Sequence, residues 1–508
     1  MTRYSIIGVI ISVAILFSCA DFDDLNTNPN ATNKVTPGML ATGLLIDMTK
    51  QYHEYGAFIS HNFMSKHALT AELMWTTMYN RIDRGGFDPY LSLTNVNQMV
   101  ESADPSIRDS YQALAHFLKA YKLFYLSLDF GDIPYSEAAR SDEIIYQPKY
   151  DTQKEVMMSI LADLDKADQL FATSCKFDGD PILGGDPAKW RKVTNAFKLK
   201  VLINLYLHDT DPDLNVKTQF QELFNSRSLM ESNDDNFQLV YSNKGGQVYP
   251  YNDLYSKQNS YVVLTSNFVD SLKVLQDNRL FYFATPSAYM INHGLTAGDF
   301  NAYISIDPSL SFDKVTALYG ENKCCRLNKR YTDIDNPNGE PIVRLGYAEQ
   351  CFNLAEAMTR GWATGNAKEY YDKGVTAAMK FVADNTPDRY IADRPGITDE
   401  YISDYLARGN AAFASNRETQ LKQIFQQKYF IYFLQQPWDG FYEYRRVLYP
   451  NLPIDPTTNM NQVPDQLPKR WMYPQTEYDE NPDNLKEALN RQYNGEDKNN
   501  DLMWILKP

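Results

Sequence analysis

Apolar side chains recur every three or four residues along much of this chain, a spacing that predicts helices. Between residues 107 and 130 they fall at Ile107, Tyr111, Leu114, Ala115, Leu118, Tyr121, Phe124, Tyr125 and Leu128. That is one stripe along a helix about 34 Å long, with Gly131 and Pro134 ending it. Asp151-Thr152 can cap a second helix, whose stripe is Val156, Ile160, Leu164, Ala167, Leu170 and Phe171. Asp186-Pro187 opens a third, through Trp190, Val193, Phe197, Val201 and Leu205. From about 230 to 341 the periodicity disappears and turn dipeptides multiply, among them Gly245-Gly246, Tyr249-Pro250, Asp307-Pro308 and Asn338-Gly339. The expectation there is a loop-rich insertion with a few short elements. Helices resume over 344–361, 367–382 and 417–434, with a short last one over 482–491. The helical blocks thus cover about 39–229 and 342–449, and the expected fold class is mainly all-α.

Leu354, Ala355, Ala367, Tyr371 and Gly374 fall at the small and large positions of a tetratricopeptide helix pair. Small residues let the paired helices approach, and Tyr371 fills the gap. Several long helices at similar spacing extend this to an α-solenoid block.

The amino terminus changes the picture. Arg3 is followed by an uncharged stretch from Ser5 to Ser18, too short to span a bilayer but suited to a secretory signal over 1–18. Ser18-Cys19 resembles the lipobox of bacterial lipoproteins, in which the cysteine is lipidated and becomes the first mature residue. Phe17 is bulkier than usual there, and an ordinary signal peptide with a chance cysteine is the alternative. Residues 19–38 read as a lipidated, polar tether ahead of a single unit over 39–508.

Composition narrows the partners. With 22% charged and 44% apolar residues the chain is globular. Its net charge is −15, and removing the signal, whose only charge is Arg3, leaves −16. So acidic a surface makes nucleic acid and anionic headgroups poor partners, and membrane attachment falls to the lipid. Cys175, Cys324, Cys325 and Cys351 are too sparse for a disulfide framework and read as packing residues, with a disulfide the lesser alternative.

At this point the sequence resembles the SusD/RagB family of Bacteroidetes outer-membrane nutrient-binding lipoproteins. The most specific stretch is Gly131-Asp132-Ile133-Pro134-Tyr135-Ser136-Glu137-Ala138 at the end of the first helix, similar to the family's turn. Others follow in the family's order: residues 148–167, Lys189-Trp190 and the helix after it, Tyr347-Ala348-Glu349, Gln427-Lys428-Tyr429, and Trp438 through Tyr444-Arg445-Arg446. The opening Asp21 to Asn30 also resembles the family's mature start, and acidic residues after Cys19 resemble a signal for the outer face. Read on their own terms these motifs are structural. Glu137 suits the first turn of a short helix, Arg445 and Arg446 near Glu443 suit ion pairs holding the C-terminal segment, and Trp190, Trp362 and Trp438 suit the core. The resemblance implies a right-handed superhelix of tetratricopeptide-like pairs with a loop-rich half packed against it. It also implies a surface lid over a SusC-like TonB-dependent transporter that captures an oligosaccharide, or an oligopeptide, and catalyses nothing.

The rival classes are a surface glycoside hydrolase and a structural surface lipoprotein. No H-E-x-x-H, G-x-S-x-G or G-x-x-x-x-G-K-[ST] motif is present. Asp209, Asp211 and Asp213, and Asp333 and Asp335, lack EF-hand spacing and read as solvated turns, calcium being the lesser alternative. No other cofactor is expected.

Sugars present flat apolar faces ringed by hydroxyls, so a site for them needs exposed rings beside Arg, Asn or Asp. Two regions qualify. The first holds Trp75, Tyr79, Asn80, Arg81, Arg84 and Tyr90. The second, in the insertion, holds Tyr249, Tyr251, Tyr255, Tyr289, Asn292, His293 and Tyr303.

Overall fold

The computed structural model describes residues 35–49, 63–138, 145–253, 257–435 and 438–508. Cys19 and Tyr255 lie outside these. In chain order the first half gives α1 (Pro37–Thr49), β1 (Ala68–Thr70), α2 (Pro89–Glu101), α3 (Arg108–Phe130), α4 (Gln153–Phe171), α5 (Pro187–Asn204), α6 (Val216–Ser226) and β2 (Phe237–Leu239). The loop-rich part gives β3 (Val262–Leu264), α7 (Ser266–Leu275), α8 (Arg279–Phe283), β4 (Ala284–Thr285), α9 (Ala288–Asn292), α10 (Phe312–Gly320), β5 (Arg326–Leu327), α11 (Lys329–Thr332) and β6 (Ile342–Leu345). Then follow α12 (Tyr347–Arg360), α13 (Ala367–Asp384), α14 (Asp399–Ala407), α15 (Arg417–Ile431), α16 (Asp439–Val447), α17 (Gln475–Glu480) and α18 (Pro482–Tyr493).

The expected mainly helical fold is the one observed, and the predicted caps are in place. Thr152 and Glu155 form a reciprocal capping box on α4, and the Asp186 side chain accepts from the Ala188 N–H at the start of α5. Neighbouring helices pack in sequence, α2 on α3, α3 on α4, α4 on α5, and α12 on α13. A Cβ at Gly374 would stand 2.6 Å from the Phe352 ring, so glycine is what lets α13 close on α12. Two differences stand out. Residues 342–345 extend as β6 against β2 instead of opening α12. The insertion also hides an amphipathic helix, α7, with Phe268, Val269, Leu272 and Leu275 buried, and three strands of a four-stranded antiparallel sheet in the order β1-β3-β5-β4, to which β1 comes from outside it. Strands of two to four residues are too short for alternation to show.

Two apolar cores result. One joins α1 to α6 with the C-terminal segment; the other gathers the small sheet, α7, α8, α13 and α15. At Gly131, φ is +97° and a Cβ would meet the Tyr493 hydroxyl at 2.6 Å, so the turn accepts only glycine. Arg491 pairs with Asp132 at 2.6 Å, and the Tyr493 and Tyr473 hydroxyls donate to the Phe130 and Asp132 carbonyls. The family-like turn is thus the seat of the C-terminal tail. Glu137 does not begin a helix within the described residues; it accepts from the Lys149 N–H.

Near the junction of the cores lies a buried network of charges. Lys200 of α5 meets Glu349 and Asp439, each at 3.0 Å. Arg446 meets Glu356 at 2.7 Å and Glu443 at 2.6 Å, and Lys428 meets Glu443 at 2.9 Å. Burial works against charge on Glu443, but Arg446 and Lys428 overcome it and hold the carboxyl down at about 2. Arg445 corrects the expectation. It makes no such pair, donating instead to the Leu128 and Lys469 carbonyls, and so ties the tail by backbone. Of the cysteines, Cys324, Cys325 and Cys351 are free and buried, whereas Cys175 is free and exposed, not a packing residue.

Candidate functional site

The first predicted region does not form one site. Tyr79 and Asn80 are buried; the Tyr79 hydroxyl donates to the Leu310 carbonyl at 3.2 Å, and Asn80 donates to Asn459 at 3.1 Å. Asn80 also caps a short 3-10 helix with φ of +63°, a backbone reason for asparagine there. Arg84, though exposed, donates to the Tyr473 carbonyl and Asp497 and lies 4.7 Å over Tyr478, along the edge of the C-terminal seam. Half-buried Tyr90 donates to the Pro134 carbonyl of the same seam. Arg81 forms an exposed pair with Asp83. Only Trp75 keeps the expected setting, half-buried in a loop whose Leu73 and Met74 are exposed.

In the insertion, Tyr249, Tyr251 and Tyr303 are fully buried. Tyr303 donates to the Ala297 carbonyl at 2.8 Å. These three are corrected from surface rings to core; aromatic residues in a turn-rich stretch can build a core without helical spacing, which is why sequence misplaced them. Tyr289, Asn292 and His293 are exposed. The imidazole of His293 stacks on Tyr289 with centroids 4.1 Å apart, and its Nδ1 lies 2.7 Å from the Tyr289 carbonyl.

The sheet brings further residues beside them. In the ladder Arg326 of β5 stands between Val263 of β3 and Thr285 of β4. Tyr261, just before β3, packs at 5.4 Å on Tyr319 of α10. The Arg326 guanidinium covers the other partner of that pair, 3.8 Å from the Tyr319 ring centroid. Asn322 leaves α10 in the left-handed region, φ +57°. Its side chain accepts from Arg326 at 2.9 Å, while its carbonyl accepts from the Ser287 hydroxyl and the Tyr289 N–H. Asn322 therefore joins two half-open aromatic pairs, Tyr261–Tyr319 and Tyr289–His293. Lys323 lies 5.3 Å over Tyr289 and pairs with Glu321 at 2.8 Å. The Trp75 loop reaches the same neighbourhood, since the Ala71 N–H donates to the Tyr261 carbonyl and the Thr316 hydroxyl of α10 to the Ala71 carbonyl. Burial, helped by Glu72 and Tyr261 and opposed by Arg326, raises the Tyr319 phenol above its ordinary value and keeps it neutral.

Tyr261, Tyr319, Asn322, Lys323 and Arg326 were not singled out in the sequence. The usable signal was Tyr261 abutting the apolar triplet Val262-Val263-Leu264, and Tyr319-Gly320 ahead of a polar turn. The larger cavities lie elsewhere. One of about 540 Å³ is lined by Asp165, Lys198, Glu222 and Arg227, and one of about 500 Å³ by Asn267, Asp270, Asp307 and Asn451. Neither holds a predicted ring. Among the acidic turns, Asp211 and Asp213 both meet Lys154, and Asp209 meets Lys217. No group of three or more His, Cys, Asp or Glu converges among the described residues. What the surface can do is hold flat apolar faces on its rings and hydroxyls or charges on Arg326, Asn322 and Lys323.

Among curated proteins none matches. A SusD homologue from Bacteroides fragilis NCTC 9343 is 45% identical over 93% of this chain and 100% of its own, with a TM-score of 0.89. An outer-membrane protein of Bacteroides vulgatus ATCC 8482, whose name ties it to nutrient binding, is 32% identical with a TM-score of 0.84 over the same shares. A chitin-binding SusD homologue from Flavobacterium johnsoniae shares the fold at 18% identity, covering 93% of this chain and 98% of its own, with a TM-score of 0.71. Residues 29–474 match the SusD-like family described as starch-binding and associating with the outer membrane, and the chain belongs to that family.

Proposed function

We propose that this protein captures oligosaccharides at the cell surface and passes them to a SusC-like TonB-dependent transporter, tethered to the outer membrane through a lipid on Cys19. The observation that carries the reading is the pair of half-open aromatic platforms, Tyr261–Tyr319 and Tyr289–His293, linked by Asn322 and Arg326. Sugar rings lay their C–H faces on such platforms while Arg and Asn take their hydroxyls. Among the described residues no helix is long and apolar enough to cross a membrane, which is compatible with attachment by lipid. The family's starch-binding description and a chitin-binding relative support saccharides over peptides. No catalytic step is assigned to the surface.

The test is calorimetry of the mature chain against an oligosaccharide panel and a peptide digest, with membrane fractionation of the Cys19→Ala variant. Saccharide binding with no product released, and loss of membrane association on removing Cys19, are expected. Binding of the digest alone would turn the reading to oligopeptides; release of products would turn it to a hydrolase.

A further inference from the structure

One donor on this surface carries a charge that nothing beside it answers. Arg326 donates through Nη1 to the Tyr319 hydroxyl at 3.1 Å, and through Nη2 to the Tyr319 carbonyl at 3.3 Å and the Asn322 side chain at 2.9 Å. The Cys324 thiol is a further polar partner. All four acceptors are neutral, and among the described residues no carboxylate pairs with it. Several arginines of the loop half and the seam are answered, Arg279 by Asp277, Arg330 by Glu340 and Arg470 by Asp497, whereas Arg394 and Arg445, like Arg326, donate to neutral acceptors, carbonyls in their case. The Arg326 plane is fixed from below by the Tyr319 ring and from the side by Asn322, yet the side chain is only half-buried. With four of its five N–H groups engaged, the guanidinium keeps one N–H and its full charge for a single carboxylate oxygen arriving beside the half-exposed Tyr319 ring.

The neighbouring charges sort in the same direction. Lys323 overhangs Tyr289, and its partner Glu321 is more than half exposed, so that pair is weak and easily exchanged. Glu72, on the Trp75 loop, is the acid acting on Tyr319 and limits how much negative charge the surface accepts. In a chain of net charge −15, a cation without a carboxylate partner on the candidate binding face gives that face a local positive charge.

Resting on the saccharide reading above, we infer that the ligand is a uronic-acid-containing oligosaccharide, with one carboxylate seated on Arg326 beside the Tyr319 platform and a second negative group within reach of Lys323.

The experiment titrates the mature chain with uronic-acid oligosaccharides (oligogalacturonides, alginate fragments and glucuronoxylan fragments) and with the same preparations after carboxyl reduction. At least one acidic preparation is expected to bind about tenfold or more tighter than its reduced form, the scale of a charged hydrogen bond. Arg326→Gln should erase the preference, Arg326→Lys should restore part of it, and added salt should shrink it in the wild type. If Arg326→Gln does not fold, the wild-type salt dependence and Lys323→Gln decide. Equal binding of acidic and reduced forms, with Tyr319→Ala still weakening both, would overturn this inference and leave the saccharide reading standing. No binding of either form, or of any neutral saccharide, would remove both.

Discussion

The buried charge network and the aromatic surface share arginine, lysine and glutamate, yet they serve opposite ends. In the network every cation faces a carboxylate: Arg446 has Glu356 and Glu443, Lys428 has Glu443, and Lys200 has Glu349 and Asp439. The groups are almost wholly out of water, so each charge depends on its partner. On the surface, Arg326 leans on neutral acceptors, and Tyr289 and His293 stand open to solvent. The lesson is that residue identity does not mark the site. What marks it is polar capacity left over after the fold has taken what it needs.

The comparison breaks most sharply at Arg446. Arg446→Met removes the shared partner of two buried carboxylates, leaving Glu443 to Lys428 and Glu356 to Arg360, and is expected to cost about 3–5 kcal/mol in denaturant titration, while the folded fraction still binds ligand. Next comes Gly374→Ala, which presses a methyl against Phe352 and should cost about 1–3 kcal/mol, again with affinity intact. On the surface the signs reverse. Tyr289→Ala is expected to lower saccharide affinity by about 0.5–1.5 kcal/mol in calorimetry, with stability moving by less than about 0.5 kcal/mol.

A further effect appears only in acid, as a pH slope. His67 is buried among Phe268, Tyr429 and Phe433. Burial lowers its imidazole to about 3, against a weaker upward pull from the Tyr429 carbonyl. The unfolded chain takes up this proton near its ordinary value of about 6.5, and the folded chain does not. Stability from this group is therefore present above that value and lost as pH falls toward 3. His67→Phe should show a shallower acid decline in thermal midpoint than the wild type.

Much of the helical half was legible, because long amphipathic helices with Thr152, Asp186 and Gly131 at their ends write their period and their stops into the chain. The candidate site was legible only in part. Trp75, Tyr289 and His293 could be named, but Tyr249, Tyr251 and Tyr303 carry the same local signature and are core. What separates them is pairing between strands two to four residues long, contributed by segments around 70, 263, 285 and 326. Such strands leave no alternation to read, and their register arises only from contacts distant in sequence. Tyr319, Asn322 and Arg326 become neighbours of Tyr289 through that sheet, so no linear motif announces them.

The most direct measurement is calorimetric titration of the Tyr289→Ala/Tyr319→Ala double variant with the saccharide that the wild type binds best, beside its thermal unfolding. The account predicts binding reduced below detection with a thermal midpoint close to wild type. Wild-type affinity in the double variant would contradict it and place the ligand elsewhere on the protein.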